Sequence, residues 1–255
     1  MSRVSTHWRP PLTRGEEDDL FMLTLENDTK DAPWMTMGDL QFWSASTFAH
    51  SLRNYAHEQG LPWYVASMHP IKYTWAHSKR RHQLAPDVYV AFRPEHPRSS
   101  YRVAVEGSFP PFVLEVVSPE SATRDQITKR TAYELLGAQE YALFTPLEDA
   151  PSTLEGYRRS KTGVFEAWPL DAEGGLWSDV LGLRLVVRGM LLRAQTLAGR
   201  LLPTLEEALG ARREAELNRI KESDARRQAE EAQRRAEDES ERLRQELERY
   251  RNPGR

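Results

Sequence analysis

The chain has 255 residues, with 35 Lys and Arg against 38 Asp and Glu, a formal net charge of -3 and no cysteine. Disulfides and thiolate metal sites are therefore excluded, and any metal would be held by Asp, Glu, His, carbonyl or water ligands. The acidic balance argues against a broad, non-specific coat for nucleic acid but leaves room for a local basic groove.

Hydrophobic residues make up 39% of the chain and are scarcest in the last fifty positions. The remainder can bury a core. No segment approaches about 18 consecutive apolar residues, so no membrane span is expected. Residues 1–19 lack an apolar signal-peptide core, which gives a cytoplasmic expectation.

Residues 1–33 read as a polar, partly ordered arm with one short apolar stretch, Leu20 to Leu25. Residues 38–59 read as a helix, with Phe42, Ala45, Ala49, Leu52 and Ala56 at spacings of three and four and Gly60 and Pro62 as the stop. Trp63 to Met68 and Ile71 to Trp75 read as strands joined by His69-Pro70. A basic loop, Lys79-Arg80-Arg81-His82, leads to a strand from Asp87 to Phe92. A polar excursion covers 93–110, and Phe112 to Val117 is a strand apolar on both faces except for Glu115.

Thr123 and Gln126 have the spacing of a capping box, and Gly137 sits where a helix begun there would end. Strands follow at Tyr141 to Phe144, Leu154 to Arg158, Val164 to Trp168 and Leu183 to Val187, with turns at Lys161-Thr-Gly163 and Glu173-Gly-Gly175. The order predicts an α/β domain over 34–203 with a central mixed sheet. Residues 204–255 turn to Ala, Glu, Arg, Gln and Leu, with opposite charges four apart at Glu222/Arg226, Arg227/Glu231, Glu230/Arg234 and Asp238/Arg242. A long charged helix is predicted there. Its alanine-rich seam fits a weak coiled coil and a single solvated helix equally well.

A carboxylate in the middle of a buried strand costs several kcal/mol, roughly, unless a charge or a metal compensates it. Glu115 is therefore either a partner in a structural ion pair or part of a site. Asp87, after Pro86 at the start of a second apolar strand, can be turn chemistry or can converge on Glu115. Two converging carboxylates suit a hard divalent cation. Asp125, Lys129 and Tyr133 follow at i, i+4 and i+8 on one helix face. They form either a surface salt bridge or a lysine delivered to that cation site. Lys79, Arg80 and Arg81 are either a solvated loop or contacts to DNA phosphates. His57 and His69 read as packing or surface residues, and Trp63 and Trp75 as core.

The run Ala85-Pro-Asp-Val-Tyr-Val90, then Phe112-Val-Leu-Glu-Val-Val-Ser-Pro119, Thr123-Arg-Asp125, Lys129, Tyr133, Gly137 and Glu140-Tyr141, resembles the Uma family, described as putative restriction endonucleases of the PD-(D/E)XK superfamily. The resemblance continues through Leu154-Glu-Gly-Tyr157, Leu176-Trp-Ser-Asp179 and Leu181-Gly-Leu183, and covers roughly residues 35–250 with the charged tail.

It implies a restriction-endonuclease-like fold and a metal held at Asp87 and Glu115, Mg²⁺ or alternatively Mn²⁺. It also implies hydrolysis of DNA phosphodiesters. Two departures stand out. The superfamily lysine two residues after the strand acid is here Val117, which makes Lys129 the substitute, with Asp125 and Tyr133 in support. The family's Trp-x-x-Asp-Pro is here Ala142-Leu-Phe-Thr145-Pro146. The resulting expectation is a Mg²⁺-dependent endonuclease, homodimeric through its domain or its tail. The alternative is a catalytically silent relative that binds nucleic acid or acts as a scaffold.

Overall fold

In the computed structural model, residues 38–74, 81–117 and 129–251 are described. Leu20 to Leu25, Trp75, Lys79, Arg80, the Thr123/Gln126 capping box and Asp125 lie outside them. The chain divides into two units, 1–204 and 205–255.

In the first unit, helix α1 (Asp39–Gln59) buries Ser44, Ala45, Phe48, Ala49, Ser51, Leu52 and Ala56. Phe48 and Leu52, almost fully buried, each contribute about 2–3 kcal/mol by leaving water. Phe42, expected on this stripe, is exposed instead. Gly60 ends the helix at φ 64°, and the next amide, Leu61, bonds back to the Ala56 carbonyl at 2.8 Å. Only a residue tolerant of positive φ closes the last turn this way.

The main sheet has six strands in the order β1 (Tyr64–Ser67), β4 (Val88–Ala91), β6 (Phe112–Val116), β7 (Glu140–Thr145), β8 (Thr153–Arg159) and β9 (Phe165–Ala167). It is mixed, because β6 and β7 run parallel and the other neighbours are antiparallel. A parallel pair needs a crossover connection, and that connection contains helix α3 (Arg130–Leu136). Gly137 ends α3 at φ 96°, as its position predicts.

Strand alternation assigns the faces. Val88, Val90, Phe112, Leu114, Val116, Ala142 and Phe144 join one core with α1 and a sheet of β10 (Leu176–Ser178), β11 (Leu183–Arg188) and β12 (Leu191–Gln195). Tyr89, Ala91, Val113, Val117, Tyr141 and Leu143 join a second core, which includes Tyr133 of α3. This second core is covered by a small sheet in the order β3 (Arg81–Leu84), β2 (Ile71–Thr74), β5 (Tyr101–Arg102). A single turn, α2 (Val103–Glu106), follows β5.

One reading needs correction. Arg81 and His82 begin strand β3 and are not loop residues, because pairing Thr74↔Arg81 and Tyr73↔His82 satisfies their backbone. The strands flanking His69-Pro70 belong to different sheets, with β1 beside β4 and β2 beside β3 and β5. Strands β5, β10 and β12 were not anticipated. They are two to five residues long and too short for periodicity to declare them.

The second unit is helix α4 (Leu205–Arg251), 47 residues long. Its charged pairs include Arg226–Glu230 at 2.8 Å and Arg227–Asp224 at 3.1 Å. Arg226 and Arg227 thus take partners other than the expected Glu222 and Glu231. Such exposed pairs contribute only about 0.2–0.5 kcal/mol each.

Candidate active site

Glu115 is 1% exposed and lies on the second-core face of β6, opposite Leu143 of β7. Its other flank faces β4. The antiparallel register there pairs Val88 with Leu114, and one further step in that register sets Asp87 opposite Glu115. Directly opposed residues have Cβ atoms about 5 Å apart on the same face. The ladder ends at this rung, and a side chain replaces it. The Val116 amide donates to Asp87 Oδ2 at 2.7 Å. Pro86 precedes Asp87 and supplies no amide of its own.

Lys129 and Tyr133 approach Glu115 from the start of α3. The Lys129 ammonium is 3.0 Å from Glu115 Oε2, and the Tyr133 hydroxyl donates to Oε1. Spacing of four residues puts both on one helix face. Tyr133 is fully buried, with its ring centroid 5.1 Å from that of Tyr141 and 6.1 Å from that of Phe109. Lys129 is 17% exposed, so its charge keeps one side toward solvent. The buried carboxylate is thus compensated by a cation and a hydroxyl, which is what its burial requires.

Of the residues singled out in the sequence, Asp87, Glu115, Lys129 and Tyr133 come together. Asp125, Lys79 and Arg80 fall outside the described residues, and Arg81 is at the first position of β3. His69 packs as expected, with Nδ1 2.7 Å from the Tyr89 hydroxyl and Nε2 3.0 Å from the Arg98 carbonyl oxygen. Trp63 is buried.

Sequence reasoning missed Gln41. Its side-chain amide donates to the Val116 carbonyl at 3.3 Å while its oxygen accepts the Gly38 amide at 3.2 Å. Residue 116 is therefore held by side chains on both of its backbone polar groups. A glutamine three residues after Gly38 was the sole signal, and it reads as ordinary helix-start chemistry.

A second buried carboxylate, Glu140 on β7, belongs to the opposite face. It accepts hydrogen bonds from the Ser178 hydroxyl and the Asp179 amide (2.8 Å) and is 3.3 Å from an Arg158 nitrogen. Burial pushes its carboxyl above the usual range, against the lowering effect of these partners. It anchors the β10–β11 turn and takes no part in the Asp87–Glu115 grouping.

The donor set suits a hard cation. Asp87 and Glu115 supply oxygen, and a carboxylate that accepts hydrogen bonds retains lone pairs for a ligand bond. Among the described residues no three His, Cys, Asp or Glu cluster as a complete metal cage. Magnesium ordinarily needs only one or two carboxylates and completes its shell with water and substrate phosphate.

The sequence model of the Uma2 family, described as "Putative restriction endonuclease", matches residues 33–187. A solved structure described as a putative nuclease belonging to DUF820 from Anabaena variabilis is similar at 14% identity and a TM-score of 0.41, covering 58% of this chain and 75% of that one. No curated protein matches the sequence. With the match running through every strand from β1 to β10 and through Asp87, Glu115, Lys129 and Tyr133, the chain belongs to the Uma2 family of putative restriction endonucleases.

Proposed function

We propose that the protein is a divalent-cation-dependent endonuclease that hydrolyses DNA phosphodiester bonds at Asp87, Glu115 and Lys129. The observation that carries this reading is the contact between the Lys129 ammonium and the Glu115 carboxylate at the rung where Asp87 ends its strand pairing. Asp87 and Glu115 would hold Mg²⁺ or Mn²⁺. When bound, the cation supplies Lewis acidity toward a phosphoryl oxygen and lowers the pKa of water.

The chain's own groups do the rest. The Lys129 ammonium donates to a non-bridging phosphate oxygen, where charge grows as the phosphorus becomes five-coordinate. The Tyr133 hydroxyl fixes the rotamer of Glu115, and the Val116 amide fixes Asp87. Asp125, four residues before Lys129 in the sequence, is assigned to positioning the ammonium. The protein would act in the cytoplasm. No helix among the described residues is long and apolar enough to cross a membrane.

The test is cleavage of plasmid DNA with Mg²⁺ or Mn²⁺ by the parent, Asp87→Ala and Glu115→Ala proteins. Loss of nicking in both variants is expected. Equal cleavage by all three rejects the assigned site.

A second reading has its own observation. Both Glu115 oxygens already accept hydrogen bonds from Lys129 and Tyr133. A silent relative that binds nucleic acid or scaffolds through its helical tail would keep that arrangement for stability alone. Absence of cleavage on every DNA substrate, with binding retained, selects it.

A further inference from the structure

We infer that the outer face of the small sheet, at Lys72, Thr74, Gln83 and Arg102, is a contact surface for the sugar–phosphate backbone of duplex DNA. This surface rests on the nuclease reading above for its choice of ligand.

The small sheet has one dry face and one wet face. Ile71, Tyr73, His82, Leu84 and Tyr101 point into the second core, and Lys72, Thr74, Gln83 and Arg102 alternate outward and are exposed. Lys72 is the register partner of Gln83 on one side and of Arg102 on the other. Neighbouring strands lie about 4.8 Å apart. Two cations therefore start from adjacent positions on one face.

Nothing in the sheet offsets them. Strands β2, β3 and β5 contain no Asp or Glu. Among the described residues Lys72 and Arg102 make no ion pair, whereas the nearby Glu106 is taken by Arg98 at 3.0 Å and Arg93 at 3.9 Å. Two like charges side by side repel unless an anion bridges them. Thr74 and Gln83 add neutral hydrogen-bond donors beside the cations, a mixture that binds phosphate and sugar without reading bases.

Position favours the same ligand. The small sheet packs on the face of the main sheet that carries Glu115 and that Tyr133 of α3 packs against. Only Leu84, Ala85 and Pro86 separate Gln83 from Asp87, so the two Cα atoms are at most roughly 14 Å apart along the chain. Phosphates within a few nucleotides of one bound beside Lys129 fall within that span. The protein as a whole is acidic, so a local cationic face must supply the attraction.

The experiment measures binding without cleavage. The full-length protein is titrated in EDTA against a fluorescent duplex of about 30 base pairs, between about 50 and 200 mM salt. Parent, Lys72→Ala, Arg102→Ala, the double variant and a control double variant, Arg188→Ala/Arg200→Ala, are compared after circular dichroism confirms equal folding. Arg188 and Arg200 are exposed cations near the β11–β12 sheet.

Each single substitution is expected to lower the slope of log affinity on log salt by about one and to weaken unrelated duplexes equally. The control pair is expected to change neither. An unchanged slope in the double variant, an equal fall in the control pair, or no binding by the parent overturns the proposal, as does weakening on duplex RNA without weakening on DNA. A parent that cleaves normally while the double variant binds normally removes the surface and leaves the nuclease. Binding that depends on Lys72 and Arg102 in a protein that cleaves nothing does the reverse.

Discussion

The Lys129 ammonium meets the Glu115 carboxylate at 3.0 Å, although one belongs to a strand and the other to the start of the following helix. In the superfamily arrangement that the sequence resembles, both would come from one strand. Here the position two residues after Glu115 is Val117, which is buried in the second core. Replacing Lys129 with Ala is expected to lower the cleavage rate by about 10²–10³, the range for losing one preorganised charge stabiliser. It should also reduce stability by about 1–3 kcal/mol, because Glu115 stays buried with one partner fewer. Rates on plasmid and urea midpoints check the two effects separately. A variant as active as the parent removes Lys129 from the site.

Tyr133→Phe removes one hydroxyl and little volume. The buried Glu115 carboxylate loses one hydrogen bond, at a cost of about 1–3 kcal/mol. Cleavage should fall by about tenfold, the equivalent of about 1.4 kcal/mol, since the carboxylate loses orientation but keeps its charge. Stopped plasmid assays at saturating Mg²⁺ measure it.

The sequence made this grouping legible in part. Asp87 and Glu115 stand out because a carboxylate inside an apolar strand demands compensation, and Lys129 and Tyr133 because four-residue spacing puts them on one face. Gln41 did not stand out. Its contribution depends on α1 meeting the end of β6, a contact between residues 75 positions apart that no local pattern encodes. The small sheet was half legible. Strand β2 alternates cleanly, but Arg81 and His82 resemble loop residues until pairing with β2 supplies their hydrogen bonds.

Glu140 offers a test by pH. Its carboxyl is raised by burial, so the fold favours the protonated form. That contribution is fully present below the ordinary glutamate pKa and is lost as pH rises through the raised value. Glu140→Gln keeps an oxygen for the Asp179 amide and has no charge to bury. Relative to the parent, the variant is expected to gain stability as pH goes from about 4 to 7. Urea unfolding at the two pH values checks the sign, and a parent that gains instead shows that Arg158 outweighs burial.

Gly156 on β8 has no room for a side chain. A Cβ there would lie 2.7 Å from a Trp168 ring carbon and 2.9 Å from a Leu176 methyl. Gly156→Ala is therefore expected to destabilise by about 1–3 kcal/mol through overpacking, with the sheet register unchanged. A thermal midpoint equal to that of the parent refutes the close packing of Trp168 on β8.

The helical tail makes a separable prediction. Leu217, Ile220, Leu243 and Leu247 are all exposed on α4. If the tail pairs two copies, the full chain sediments as a dimer and a protein ending near Pro203 as a monomer. The same number of subunits before and after truncation removes the tail from pairing.

The side-chain closure of the β4–β6 ladder has one more consequence. The Val116 amide proton is shielded by a carboxylate rather than by a neighbouring strand's carbonyl. Its exchange with deuterium therefore reports on Asp87 directly. Whatever draws that oxygen away, whether cation, proton or ligand, unmasks a single amide beside Glu115. The chain thus carries an intrinsic probe of occupancy that needs no attached reporter group and no turnover.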